Sequence, residues 1–285
     1  MITIDAPAKI NLALHVCGRR DDGYHLLDSL VIFAGIGDRI SVAKADTLTL
    51  ALTGPFAGSL TAEPDNLVLR AARLLAGDSR RGAAITLEKI LPVASGIGGG
   101  SSDAAATLLA CAALWDLDAN ALRGADVAAA LGADVPVCLT RTPALMRGIG
   151  EDITVIENLP PLWLVLANPN QPLATKAVFN ALRGRFGPAM EPLPPRPDAA
   201  RLLAYLERQR NDLTAPALEL MPQIGVILNA LASTTGCRLA RLSGSGATCF
   251  GLYTEESAAQ AAAKSLKTAY SGWWIAAAPM LTNRL

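Results

Sequence analysis

Between Leu91 and Ala106 the chain reads LPVASGIGGGSSDAAA, with four glycines and three serines within the eight residues from Ser95 to Ser102. An alanine- and leucine-rich run of helical character follows directly, from Ala104 to Trp115. Glycine admits positive φ and lets a backbone come close to a bound group without a Cβ in the way. A helix opening just after such a loop aims N–H groups and the positive end of its dipole at one spot. The combination predicts a phosphate site. Glycine-rich turns also serve as plain connections, but a solvated linker does not normally run straight into so apolar a helix. The familiar templates do not apply. GxxxxGK[ST] requires a lysine where Ser101 and Ser102 stand, and GxGxxG meets Ser101 or Asp103 at its third glycine, depending on register. The loop belongs to another class, in which serine hydroxyls cap the helix or reach a metal-bound phosphate.

A chain of 285 residues has the length of about two domains. Its 51% hydrophobic and 18% charged residues are those of a globular enzyme rather than a disordered chain. Formal net charge is zero and there is no strongly basic run, which argues against nucleic acid as a partner. The first residues lack the basic start and apolar centre of a secretion signal, and no apolar run reaches bilayer-spanning length. The expectation is a cytoplasmic protein without a membrane partner. Cys17, Cys111, Cys138, Cys237 and Cys249 are widely spaced in apolar contexts and read as buried reduced thiols. No Cys/His cluster suggests zinc, and His15 and His25 alone leave few candidates for a histidine triad.

The N-terminal part reads as mixed α/β. Strands are expected at Ile10–Val16, Ile40–Val42, Leu48–Leu52 and Ala84–Lys89. Asp65-Asn66 predicts a capped helix from Leu67 to Gly77, and Asp126–Leu131 a short one. Leu159-Pro160-Pro161 marks a boundary between domains 1–158 and 159–285. Beyond it come a strand at Trp163–Ala167, a helix at Thr175–Leu182 and an irregular proline-rich excursion over Pro188–Pro197. Helices at Asp198–Arg208 and Ala215–Ala232 precede two strands joined by Ser243-Gly244-Ser245-Gly246. A helix at Glu255–Ala269 and a last strand at Trp273–Ala278 complete an α+β pattern.

Two charges stand alone among apolar neighbours. Lys9 lies in Pro7-Ala8-Lys9-Ile10-Asn11, where the bland alternative is an edge-strand lysine kept in water. Asp134 precedes Val-Pro-Val-Cys-Leu, a partly desolvated setting, with a helix cap or turn as its alternative. Beside a phosphate loop the pair suggests phosphoryl transfer. The aspartate would accept a hydroxyl proton, and the lysine would steady developing charge. Gly23-Tyr24-His25 sets an aromatic beside an imidazole on a loop, suited to a heterocycle or to mere surface packing. The Ser243–Gly246 turn is either a tight hairpin or a place for a ligand to come close.

Three segments in order, Pro7–Asn11, Pro92–Ala105 and Leu242–Ala247, resemble the three motifs of the GHMP small-molecule kinases. Asp22-Gly23-Tyr24-His25 and Leu131–Pro136 are similar to the branch acting on diphosphocytidyl methylerythritol in the methylerythritol phosphate route to isoprenoids. The likeness runs from Ala6 to the last strand. It implies an N-terminal domain like ribosomal protein S5 domain 2 and a ferredoxin-like C-terminal domain. ATP is implied as co-substrate with Mg²⁺ sharing its charge, and no metal is assigned to protein side chains. The resemblance makes Asp134 the base for the substrate's 2-hydroxyl, with Lys9 orienting both, and Asn11 and Gly244 at the substrate. Pro92, Val93, Ala94, Ser95, Gly96, Ile97, Gly98, Gly99, Gly100, Ser101 and Ser102 would surround the triphosphate. Asn66 and Leu67 would lie along the adenine pocket, with Lys89 near it. Tyr24 and Phe179 would flank the cytosine, with His25 bonded to it and Thr175 in the same pocket. The expected assembly is a monomer or homodimer. Two other readings stay open: a kinase of the same class acting on mevalonate, homoserine or a sugar, and a ligand sensor without turnover.

Overall fold

The computed structural model describes residues 1–60, 65–79, 81–118 and 126–282. In chain order the strands are β1 (Ile2–Arg19), β2 (His25–Ala45), β3 (Leu48–Thr53), β4 (Gly82–Glu88), β5 (Ala144–Gly148), β6 (Asp152–Val155), β7 (Trp163–Asn168), β8 (Leu239–Leu242), β9 (Cys249–Tyr253) and β10 (Trp274–Leu281). The helices are α1 (Leu67–Ala76), α2 (Gly99–Leu114), α3 (Asp126–Leu131), α4 (Val135–Thr140), α5 (Thr175–Ala181), α6 (Ala199–Arg208), α7 (Thr214–Leu220), α8 (Gln223–Ala232) and α9 (Glu256–Ala269). The chain forms two compact units. The first comprises Met1–Ala8, Gly37–Val93 and Gly98–Arg141, and the second Lys9–Ile36, Ala94–Ile97 and Thr142–Leu285.

In the first unit β4 lies antiparallel to β2, from Arg39 opposite Glu88 to Ala45 opposite Gly82. It runs parallel to β3, with α1 forming the crossover such a parallel pair needs. Alternate residues Ile40, Val42, Ala83, Ile85 and Leu87 turn inward and meet Val68 and Ala72 of α1 and Ala106, Ala110 and Cys111 of α2. Asn66 caps α1 as its sequence predicts, its side chain accepting from the Val68 amide. Helix α2 is buried nearly all round because its alanines let α1 and α4 pack close. It starts earlier than expected, at Gly99, and its N-cap is Gly98 in the left-handed region rather than a serine. The Ser102 hydroxyl does no capping and donates instead to the Pro7 carbonyl at 2.7 Å.

A buried ion cluster sits against the start of α2. The Lys89 ammonium donates to Asp38 at 2.5 Å and to Asp103 at 2.8 Å, with all three side chains out of water. The second oxygen of Asp38 accepts the amides of Ile90 (2.6 Å) and Leu91 (2.8 Å), so this carboxylate anchors the chain entering the glycine loop. Gly99 makes room for the cluster, since a Cβ there would stand 3.2 Å from the Lys89 nitrogen. Two carboxylates and one ammonium leave one excess negative charge in a dry site. Burial, outweighing the attraction of Lys89 and aided by Asp38, pushes the Asp103 carboxyl up to about 7. Burial also opposes the charge on Lys89, but Asp103 and Asp38 together hold its ammonium above the ordinary value.

In the second unit β10, β7, β9 and β8 are neighbours in that order, all antiparallel. Helices α8 and α9 pack on these strands around Val165, Ala167, Cys249, Tyr253, Ile227 and Leu266. β2 contributes Leu27–Val31 to a pair with β5, which continues to β6. The β5–β6 hairpin is absent from the sequence reading. The single helix expected over Ala215–Ala232 is two helices. Pro222 forces Met221 out of the helical region (φ −143°, ψ 85°), and the chain breaks there. Cys17 and Cys237 are only half-buried, unlike Cys111, Cys138 and Cys249, and none of the five is in a disulfide.

The stretch between α5 and α6 is irregular, as its prolines predict, yet firmly tied down. The Gly187 amide donates to Val16 O (3.0 Å), the Met190 amide to Asp28 (3.0 Å), and the Tyr205 hydroxyl to Glu191 O (2.8 Å). His15 completes the tie. Its Nε2 accepts from the Arg210 amide, so Nδ1 carries the proton and donates to Pro188 O at 3.0 Å.

Two outcomes are expected. Lys89→Met, which strands two buried carboxylates, costs about 3–5 kcal/mol in urea unfolding at neutral pH. Without Lys89, whose attraction lowers it, the Asp103 carboxyl takes up its proton at higher pH than in the parent, so this deficit shrinks as pH is lowered toward about 7. A pH-independent deficit refutes the charge account. The second concerns His15, whose pKa is lowered chiefly by burial. The stability it lends is complete above about 6.5 and is lost as pH falls through its folded value. His15→Gln therefore flattens the fall in unfolding free energy between about pH 7.5 and 5.5, and an unchanged slope removes His15 as its source.

Candidate functional site

In the second unit the loop segment Ala94–Ile97 is stitched between β1 and the β8–β9 connection. The Lys9 amide donates to Ile97 O (2.9 Å), the Thr248 amide to Ser95 O (3.0 Å), and the Ser243 hydroxyl to Gly96 O (3.1 Å). Gly96 is required by this stitching. It sits at φ +75°, and a Cβ there would come 2.5 Å from Gly246 O. The Ser243–Gly246 turn is therefore more than a hairpin, since it is the surface against which the glycine loop is laid. Its position is fixed from below by Asn211, whose amide donates to both Leu242 O and Gly244 O at 2.8 Å. Arg241, buried with its pKa lowered to about 10 by that burial, reaches the carbonyls of Leu12, Leu206 and Gln209. Neither residue belongs to a motif, and the sequence reading passed over both.

Asn11 lies beside this stitching, 1% exposed. Its backbone amide donates to Ser243 Oγ (3.3 Å) and its Nδ2 to Ser29 Oγ (2.7 Å). Ser29 gives its hydroxyl proton to Ala13 O, so it can only accept from Asn11, and this fixes which way the amide faces. The other end, Oδ1, is buried without a hydrogen-bond partner. An orphaned buried acceptor carries a desolvation cost that a bound hydroxyl or N–H would relieve. A Cβ on Gly244 would stand 3.4 Å from this oxygen, so glycine leaves the approach to it open. Lys9, two residues earlier on β1, is also buried, which removes the solvated edge-strand alternative.

The aromatic group also lies in the second unit. The His25 ring is 4.8 Å from Phe179, tilted by 35°, and 6.0 Å edge-on from Phe186. Burial first and the charge of Arg19 second lower its pKa, so it is a neutral imidazole at pH 7, with one donor and one acceptor nitrogen. Tyr24 is 57% exposed and does not join these rings. Thr175 opens α5, its hydroxyl 2.9 Å from that of Ser245.

The first unit holds the other candidates. Gly98, Gly99, Gly100, Ser101 and Ser102 form the first turn of α2 and its cap, where a helix leaves N–H groups with no intrahelical acceptor and no side chain caps them. Pro92 is buried and Val93 half-buried just before the loop. Asn66 and Leu67, half-buried, begin α1. Lys89, expected near the adenine pocket, has its ammonium committed to Asp38 and Asp103. Asp134 immediately precedes α4 without capping it by its side chain, and is half-buried as its neighbours predict. Among the described residues no group of three or more His, Cys, Asp or Glu could hold a metal ion.

Two family models match the chain, GHMP kinases N terminal domain over residues 66–141 and GHMP kinases C terminal over residues 194–272. The 4-diphosphocytidyl-2-C-methyl-D-erythritol kinase of Paramagnetospirillum magneticum is 54% identical over 284 residues, covering 98% of this chain and 99% of that protein. Its namesake from Paracoccus denitrificans is 56% identical over 273 residues, covering 95% and 94%. The crystal structure of a 4-(cytidine 5'-diphospho)-2C-methyl-D-erythritol kinase superposes with a TM-score of 0.80 at 35% identity, covering 98% of this chain and 99% of that one. A homoserine kinase from Cytophaga hutchinsonii, at 19% identity and a TM-score of 0.72, shares the fold alone. The α+β architecture is accordingly the two-domain GHMP one, with parts like ribosomal protein S5 domain 2 and ferredoxin. With both family models matched and near-full-length relatives more than half identical, this chain belongs to the GHMP kinase family.

Proposed function

We propose that this chain transfers the γ-phosphoryl group of ATP to the 2-hydroxyl of 4-diphosphocytidyl-2-C-methyl-D-erythritol, releasing ADP. The observation that carries the reading is the near-full-length identity to kinases of that name, 54% over 98% of the chain in one case. The neutral His25 imidazole against Phe179 supports the substrate. It offers a heterocycle a flat neighbour together with one donor and one acceptor, which a small polyol would not use. In the reaction the substrate oxygen forms its bond to the γ-phosphorus as the bond to the β,γ-bridging oxygen breaks. The hydroxyl proton passes to the Asp134 carboxylate, and Lys9 orients that carboxylate and the hydroxyl. Asn11 Oδ1 accepts from the substrate, and the N–H groups of the Gly96–Ser102 loop take the phosphates.

The segment 1–158 is assigned to the nucleotide, with 159–285 as the C-terminal domain. Mg²⁺ would accompany ATP and share the charge of its phosphates. Asp38 and Asp103, beside the loop, are engaged by Lys89. The setting is cytoplasmic, with monomer or homodimer as the assembly. Among the described residues no helix is long and apolar enough to cross a membrane.

Asp134→Asn is expected to lower kcat by about 10²–10⁴-fold while ATP affinity changes less than about threefold, since only proton transfer is lost. Full turnover in that variant removes Asp134 as base. The acceptor is tested by following ADP release with the diphosphocytidyl alcohol and adding CMP. Competitive inhibition by CMP supports the cytidyl reading. Turnover of mevalonate or homoserine with no effect of CMP replaces it.

A further inference from the structure

Phe186 is the one member of the His25 cluster that no motif announces. It stands outside any helix or strand, yet the residues after it are held by Val16 O, His15, Asp28 and the Tyr205 hydroxyl, and by the Arg210 guanidinium, which donates to Pro188 O at 2.8 Å. Such anchoring is unusual for a proline-rich surface stretch, which ordinarily keeps its freedom. Asp28 is itself buried and fixed on its other oxygen by Arg147 (3.2 Å), so the tether at Met190 does not depend on solvent. The anchoring delivers one apolar side chain, 41% exposed, edge-on to His25 at 6.0 Å. Edge-to-face geometry at this separation is favourable for aromatic pairs. Phe179 meets the same imidazole at a tilt of 35° on a second contact, so two phenyl rings in different orientations fix its plane.

We propose that Phe186, presented by the tethered 187–191 strap, is a positioning and specificity-determining residue that holds the His25 ring in the orientation that reads the cytosine of the acceptor. This deepens the proposed function and rests on it for the identity of the base. It does not rest on it for the coupling of Phe186 to His25. Arg19, at the end of β1, is the charged group acting on His25, and burial is the larger cause of its lowered pKa.

The test compares the full-length protein with Phe186→Ala, Phe186→Leu and Phe186→Tyr. In Phe186→Ala the KM for the diphosphocytidyl alcohol is expected to rise about three- to tenfold, while kcat and the KM for ATP move less than about twofold. Phe186→Tyr, which keeps the ring, restores the KM, and Phe186→Leu falls between. Independently of turnover, the His25 pKa followed by NMR in the unliganded protein rises toward its ordinary value in Phe186→Ala and stays in place in Phe186→Tyr. An unchanged acceptor KM with an unchanged His25 titration overturns the proposal. So does a parallel loss in kcat and both KM values, which marks a merely structural role. If no variant, nor the parent, turns over the cytidyl acceptor, the proposed function fails by itself. The titration, with CMP binding measured at equilibrium, then still decides whether Phe186 positions His25.

Discussion

The contact between Lys89 and the two buried carboxylates Asp38 and Asp103 governs how the glycine loop leaves the first unit. Each partner alone would be costly in a dry interior, and together they satisfy most of one another's polar atoms. Asp38 then uses its second oxygen to fix two successive amides at Ile90 and Leu91, which sets the direction in which the chain enters Pro92. Asp103, on the second turn of α2, ties the helix to the same ammonium. Strand, loop entrance and helix start are therefore held by one charge. The remaining oxygen of Asp103 has no partner, and burial, aided by the Asp38 charge, holds a proton on its carboxyl up to near neutrality.

That cluster also bears on how phosphate is held. In a P-loop a lysine after the last glycine reaches the nucleotide as a point charge. Here Lys89, at the entrance to the loop, is engaged by two carboxylates, so the attraction offered to an anion by α2 comes from backbone N–H groups and the helix dipole. The second unit holds its part of the loop by other means. The carbonyls of Ser95, Gly96 and Ile97 are each engaged by Thr248, Ser243 and Lys9. With those carbonyls turned toward protein donors, the same stretch of chain does not present them to a phosphate.

What was legible in the sequence was local. Asn66 caps α1 because an Asn before an apolar run has few better uses. The β8–β9 turn was readable because Ser-Gly-Ser-Gly between two alternating segments leaves little else. Pro222 breaks a helix read as continuous from its apolar spacing, which the residue before a proline cannot sustain. What was not legible was distant. Asp38 lies 51 positions from Lys89, and Ser29 lies 18 from Asn11, so no spacing rule joins them. For Lys89, which the family resemblance places near the adenine, the sequence shows the charge but not the two carboxylates that engage it. Gly98 displaced the serines as cap because a left-handed residue can begin a helix without a side-chain acceptor.

The two histidines show how burial turns one residue type to two ends. Both are driven toward the neutral form, but the partners differ. His15 has both nitrogens engaged by backbone, one donating to Pro188 O and one accepting from the Arg210 amide, so its tautomer is fixed and it has nothing left to offer a ligand. His25 is in contact mainly with rings, which constrain its plane without occupying its nitrogens. A ring held in orientation with its polar atoms uncommitted is what recognition of a flat heterocycle requires. His15 supplies a condition for it, since the carbonyl it grips follows Phe186 by two residues. One histidine thus stiffens the strap, and the strap in turn constrains the other.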